Sequence, residues 1–108
     1  MCKAELLSFE KEQREGKWHY HLKGHLDTST TPLLEQELSA AIQETDYLIL
    51  DFEDLEYVSS SGLRLLLNLH KKLMKKGGLC IEHVNREVME VLEMTGFLNF
   101  LSVKELDT

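Results

Sequence analysis

Between Leu48 and Met74 the chain passes from an apolar run into a helical repeat, with a polar link and a serine turn between them. Leu48-Ile49-Leu50-Asp51-Phe52 is the kind of short apolar run that forms a buried strand. Further on, Leu63, Leu66, Leu67, Leu73 and Met74 recur at helical spacing, which predicts an amphipathic helix of about four turns. Tyr57-Val58-Ser59-Ser60-Ser61-Gly62-Leu63 places three serines and a glycine where that helix begins. Serine caps helix N-termini because its oxygen accepts from backbone N–H groups that lack an intrahelical partner. Taken alone, the serines are explained by capping, at about 1 kcal/mol for each that caps. The same helix end carries partial positive charge, so it also suits a hydroxyl that is to hold a phosphate.

A chain of 108 residues is the size of one domain, here read as residues 1–108 with frayed ends at 1–3 and 105–108. The net charge of −7 argues against nucleic acid or an anionic membrane as a direct partner. Two cysteines make no disulfide framework. Cys2 lies at the frayed end, and Cys80, within Leu79-Cys80-Ile81, reads as a small core residue. With no secretory signal segment and no long apolar run, the cytoplasm is the expected address.

Residues from about Cys2 to Gln13, with Ala4, Leu6, Leu7 and Phe9, predict a first strand. Arg14-Glu15-Gly16-Lys17 is a turn. Trp18-His19-Tyr20-His21-Leu22-Lys23 then alternates strictly, with Trp18, Tyr20 and Leu22 on one face. Strand, glycine turn and strand make a hairpin. Pro32 suits a first helical position, which makes Thr31 the expected N-cap of a helix running to about Gln43. Leu34, Leu38, Ala41 and Ile42 form its apolar stripe. Glu53-Asp54-Leu55-Glu56 is either a polar connection or an extension of the Leu48–Phe52 strand.

The central helix ends in Lys71, Lys72, Lys75 and Lys76, read as a solvated helix end, and Gly77-Gly78 supplies its left-handed cap. Leu79 to Val84 is a strand. Asn85 caps a helix from Arg86 to Thr95 that Gly96 ends, and a last strand spans Leu98 to Leu106. The order β-β-α-β-α-β-α-β predicts an α/β domain with a mixed, mostly parallel sheet and an N-terminal hairpin. Functional loops of such sheets gather beyond the carboxyl ends of the strands. Asp27-Thr28, Ser59-Ser60-Ser61 and Asn85-Arg86 should therefore share one rim.

Enzyme chemistry finds little support. His19 and His21 share a strand face, but spacing identifies no acid or thiol partner, so they read as solvent-facing and no metal is expected. His70 reads as a surface or boundary residue on the helix, and His83 as one on a strand. No phosphate-cradling glycine loop occurs, and the serine turn lacks the G-x-S-x-G pattern of a hydrolase elbow. No catalytic residues and no cofactor are assigned.

From Tyr20 onward the chain resembles the STAS domain family, and within it the free-standing anti-sigma factor antagonists of bacteria. Leu22-Lys23-Gly24-His25-Leu26-Asp27 is similar to the family's l-x-G-x-l-D strand end. Leu48 to Phe52 followed by Tyr57 to Leu63 is similar to its strand and D-S-S-G-L turn. Val88 to Phe97 resembles its third helix and closing strand. The resemblance implies a non-enzymatic, partner-switching role. The antagonist binds an anti-sigma factor that is a serine kinase of the GHKL type, frees a sigma factor, is phosphorylated by that kinase, and is restored by a serine phosphatase. The matching phosphorylation site is Ser60. The implied partner-binding residues are Asp27, Thr28, Ser59, Ser60, Ser61, Gly62 and Arg64. Ser59 stands where the family has an aspartate; it can supply the capping oxygen but not the charge. The alternative implied by the family is a STAS subunit of a larger lipid-transport or stress-sensing assembly.

Overall fold

The computed structural model describes residues 7–96 and the backbone of 102–105. Among the described residues five strands and three helices follow one another as β1 (Leu7–Arg14), β2 (Lys17–Leu26), α1 (Thr31–Ala41), β3 (Tyr47–Val58), α2 (Ser60–Leu73), β4 (Gly78–Val84), α3 (Arg86–Thr95) and β5 (Ser102–Glu105). This is the expected element order. The strands form one sheet in the order β1-β2-β3-β4-β5. The β1–β2 hairpin is antiparallel and every other pairing is parallel. Right-handed crossovers that all step the same way along a sheet leave their helices on one face.

The alternation in β2 and β3 is what covers that face. Tyr20, Leu22, Leu48, Leu50 and Phe52 are fully buried, as are Leu34 and Leu38 of α1 and Leu66 and Leu73 of α2. Each such side chain contributes about 1.5–3 kcal/mol when removed from water. The hairpin is tied to α1 through Glu37, whose Oε2 accepts from Tyr20 Oη and Lys11 Nζ, both at 2.8 Å. On the opposite face, His19, His21, Ile49, Asp51 and Glu82 are partly exposed.

Two local expectations change, and one that was left open is decided. β3 runs on past Phe52 to Val58, so of the two alternatives for Glu53–Glu56 it is the strand extension that forms. Its pairing with β2 shifts between His21 and Lys23 and again between Gly24 and His25. Each shift inserts an extra residue into β3, a bulge that moves the inward positions from Leu48, Leu50 and Phe52 to Leu55 and Val58.

At α1 the N-cap is Thr30, not Thr31, and it has helical dihedrals with no side-chain cap bond. Thr30 Oγ1 is committed instead to the preceding loop, donating to the His25 carbonyl at 2.8 Å. Thr31 is buried, and its hydroxyl finds no partner among the described residues. At the other end α1 stops at Ala41.

The glycines after α2 serve a different purpose from the expected cap. The helix ends at Leu73 with Met74 still right-handed. Gly77 and Gly78 both donate backbone N–H bonds to the Asp46 carbonyl, at 2.7 and 3.0 Å. A Cβ at Gly77 would stand 2.7 Å from that oxygen, so only glycine allows the approach. Gly78 enters β4 at φ +121°, a conformation open to glycine alone.

Other expectations stand. Cys80 is buried, Asn85 caps α3 by accepting from the Val88 N–H at 2.9 Å, and Gly96 ends it at φ 78°. Residues 2–6 of the expected first strand, Cys2 among them, and 98–101 and 106 of the expected last strand lie outside the described residues. No helix among the described residues is long and apolar enough to cross a membrane.

Candidate functional site

Because β2, β3 and β4 run parallel, their carboxyl ends meet on one rim. There the chain leaves β2 at Leu26, β3 at Val58 and β4 at Val84. The first two exits are joined directly: the Ser59 N–H donates to the Leu26 carbonyl at 2.8 Å. The third is tied to β3, since Asn85 Nδ2 donates to the Leu55 carbonyl at 2.7 Å.

The Asp27 loop is built around one carboxylate oxygen. Asp27 Oδ1 accepts from the Ser29 N–H at 3.0 Å, the Ser29 hydroxyl at 2.8 Å and the Thr30 N–H at 3.1 Å. The Ser29 hydroxyl is the largest of the effects that hold the Asp27 carboxyl below its ordinary range, with partial desolvation opposing. Asp27 therefore remains charged at neutral pH while its geometry is fixed from within the loop. Thr28, the next residue, is exposed, and its Oγ1 lies 3.3 Å from Ser61 Oγ. That contact brings the β2 loop against the first turn of α2.

The three serines divide the work. Ser59 is the N-cap, extended at φ −90° and ψ 177°, with its Oγ accepting from the Gly62 N–H at 3.4 Å. Ser60 is the first helical residue and is exposed. Ser61 is partly buried against Thr28. Gly62 is buried where a Cβ would lie 2.9 Å from Leu26 Cγ and Cδ2 and 3.0 Å from Val58 Cγ1. Its missing side chain is what lets α2 start close to the ends of β2 and β3. Arg64 is exposed, one turn beyond Ser60, and lines a shallow groove between α1 and α2 with Thr31, Glu35, Ser61, Leu65 and Asn68. Of the seven residues proposed from the sequence, Asp27 and Thr28 lie in the β2 loop, Ser59, Ser60, Ser61 and Gly62 in the cap and first turn of α2, and Arg64 at the start of the second turn.

Sequence reading missed two exposed apolar residues nearby in the chain. Tyr57 precedes the serine turn, half exposed, with its ring edge-on to His25 at 6.1 Å. Leu33, early in α1, is 61% exposed. The second bulge of β3 is what puts Tyr57 outward, and spacing alone does not announce a bulge.

It also missed the acids beside the histidines. His21 Nε2 lies 2.7 Å from Asp54 Oδ2, and its Nδ1 lies 3.2 Å from Asp51 Oδ2. Asp54 first, then Asp51, raise the pKa of His21 against the opposing effect of burial. These partners come from the neighbouring strand, so they depend on register rather than on spacing along β2. His83 of β4 meets the same Asp51, and His19 and His25 approach Glu82 and Glu56 at 3.7 and 3.4 Å.

Comparison with known proteins places the fold. The STAS domain family model matches residues 8–106. Over 100 residues the chain is 29% identical to the anti-sigma F factor antagonist of Paenibacillus polymyxa, covering 90% of this chain and 86% of that one. It is 21% identical to the anti-sigma-B factor antagonist of Bacillus subtilis over 98 residues, covering 90% of both. Among solved structures, an anti-sigma factor antagonist from Mycobacterium paratuberculosis superposes with a TM-score of 0.83 at 23% identity, over 91% of this chain and 85% of that one. The unphosphorylated form of the antagonist SpoIIAA gives a TM-score of 0.76 at 23% identity, over 89% and 87%. Matching along nearly its whole described length in both sequence and fold, the chain belongs to the STAS domain family.

Proposed function

We propose that this protein is an anti-sigma factor antagonist whose docking on its partner is switched by phosphorylation of Ser60. The partner is an anti-sigma factor with serine kinase activity of the GHKL type, and a serine phosphatase resets the switch. Relatives named as anti-sigma factor antagonists support the general role. The observation that carries the finer reading is the exposure of Ser60 as the first residue of α2, on the rim beside the Asp27–Thr28 loop.

The mechanism follows from electrostatics. Phosphorylation adds a charge of about −1.5 to −2. The start of a helix tolerates that charge, because unpaired backbone N–H groups and the macrodipole both favour an anion there. Arg64, one turn on, lies on the same side of α2 as Ser60, at a spacing where opposite charges attract. The fold therefore survives modification and the effect falls on the interface. A partner that covers Ser60 would have to strip water from the phosphate, and acidic groups facing it would repel it. Asp27, Thr28, Ser59, Ser61, Gly62 and Arg64 form the surrounding contact surface in this reading. Ser59 supplies the cap where the resemblance has an aspartate, so Ser60 opens α2 without that neighbouring charge.

The test is incubation with the cognate kinase and ATP, followed by intact mass and site mapping. One phosphate on Ser60, absent from Ser60→Ala, is the expected result. Phosphate on another residue, or none on the wild type, would overturn the assignment.

A further inference from the structure

The uncovered face of the sheet holds a second constellation, centred on Asp51 and unused by the serine rim. Asp51 is recessed in the middle of β3, with its side chain 13% exposed. Its two oxygens face imidazoles from both flanking strands. His83 Nδ1 is 3.1 Å from Oδ1, and His21 Nδ1 is 3.2 Å from Oδ2. Oδ1 also accepts from the Glu53 N–H at 3.0 Å, which fixes the carboxylate plane and leaves one lone pair of that oxygen toward His83. One donor atom from each of Asp51, Glu53 and His83 can be drawn from a group whose members all lie within 4.8 Å of one another.

His83 reaches this position through an unusual backbone. Glu82 pairs with Asp51 across β3 and β4, so the next residue of a regular strand would point to the helix-covered face. His83 instead has φ +57°, and its imidazole comes to Asp51 on the open side. That left-handed conformation is one that a residue with a side chain adopts uncommonly. His21 is braced from behind, with its Nε2 2.7 Å from Asp54 Oδ2. An imidazole fixed by one carboxylate and touching a second is the outer support that metal-binding carboxylates use.

The geometry points to a site for a divalent first-row transition metal, with zinc as the fitting ion, formed by Asp51, Glu53 and His83. Water would complete the coordination, and His21 and Asp54 act as positioning residues for Asp51. Around tetrahedral zinc, ligand distances of about 2.0–2.1 Å place neighbouring donor atoms roughly 3.3 Å apart. The Asp51–His83 separation of 3.1 Å already matches such an edge. Glu53 is exposed, so rotation of its side chain closes the third position at little cost. The imidazole selects against magnesium and calcium, which prefer all-oxygen shells.

Calorimetric titration of the full chain with zinc chloride, repeated with magnesium chloride, tests the site. One zinc ion per chain and no heat from magnesium are expected. Glu53→Gln and His83→Asn should each weaken zinc binding at least tenfold, whereas His70→Ala, on α2, should leave it unchanged. Glu53 is exposed, so its substitution reports on the site without disturbing the core; asparagine tolerates the backbone of position 83. Absence of zinc binding at millimolar concentration, or less than tenfold weakening by either variant, would overturn the proposal.

Discussion

The backbone N–H of Ser59 donates to the carbonyl oxygen of Leu26 at 2.8 Å, closing the ends of β2 and β3 into one rim. The Asp27 loop begins one residue beyond Leu26 and α2 begins one residue beyond Ser59. A disturbance at either strand end is therefore felt at both halves of the proposed docking surface.

Gly62→Ala should destabilise the protein. The added methyl would meet Leu26 at 2.9 Å and Val58 at 3.0 Å, both side chains buried. Overpacking of this kind costs about 1–3 kcal/mol, while alanine recovers roughly 1 kcal/mol of helix propensity. A net loss of about 1 kcal/mol is expected as a lowered urea midpoint. An unchanged midpoint would mean that α2 does not need its close approach to Leu26.

Ser59 caps through one bond, to Gly62, at 3.4 Å. Ser59→Ala should cost about 0.5–1 kcal/mol, the low end for a lost cap. Ser59→Asp keeps an acceptor oxygen and adds a charge favoured at a helix N-terminus by about 0.3–1 kcal/mol. Thermal melts should therefore rank aspartate at or above serine, and serine above alanine. The reverse order would show that Oγ of Ser59 is not the cap.

The Asp27 loop should respond to acid in a defined direction. The Ser29 hydroxyl, and after it the backbone and side chain of Thr30, hold the Asp27 carboxyl below its ordinary value of 3.8. A carboxyl depressed in the folded state stabilises it above the ordinary value, and that contribution is lost as pH falls through the depressed one. Carbon-detected NMR should find Asp27 titrating below a free aspartate, and Ser29→Ala should move it upward. No movement in that variant would contradict the hydroxyl's role.

Tyr20→Phe tests the link between hairpin and helix. The phenol donates to Glu37 at 2.8 Å, and Tyr20 is fully buried. Burial first, and Glu37 second, drive the ionisation of Tyr20 upward, so the group stays a donor across the usable pH range. Losing a bond to a charged acceptor that keeps its Lys11 partner should cost about 1 kcal/mol in denaturant unfolding. A neutral substitution would mean that α1 is held by apolar contacts alone.

The rim was legible in the sequence because its signals are local. Serines before a helical repeat, a proline opening α1 and apolar runs spaced by helices fix element order and hence which loops converge. The β3 bulges were not legible. They arise from how β2 and β3 pair, and they decide that Glu53–Glu56 is strand and that Asp54 stands beside His21. The Asp51 cluster depends on the same register and on the left-handed backbone of His83; histidine adopts that conformation more often than most residues, but too rarely for the sequence to announce it. At α1, Thr31 and Pro32 suggested one cap. The loop instead recruited Thr30 to bond His25 and Asp27, a tertiary demand that outweighed the local pattern.

The most direct test is the affinity of the anti-sigma factor kinase for three forms of the full chain: wild type, Ser60→Ala and the Ser60 phosphoprotein. The first two should bind alike and the phosphoprotein at least tenfold more weakly, with the circular dichroism of all three unchanged. Equal affinity for the phosphoprotein would contradict the proposed switch, as would weakened binding accompanied by loss of secondary structure.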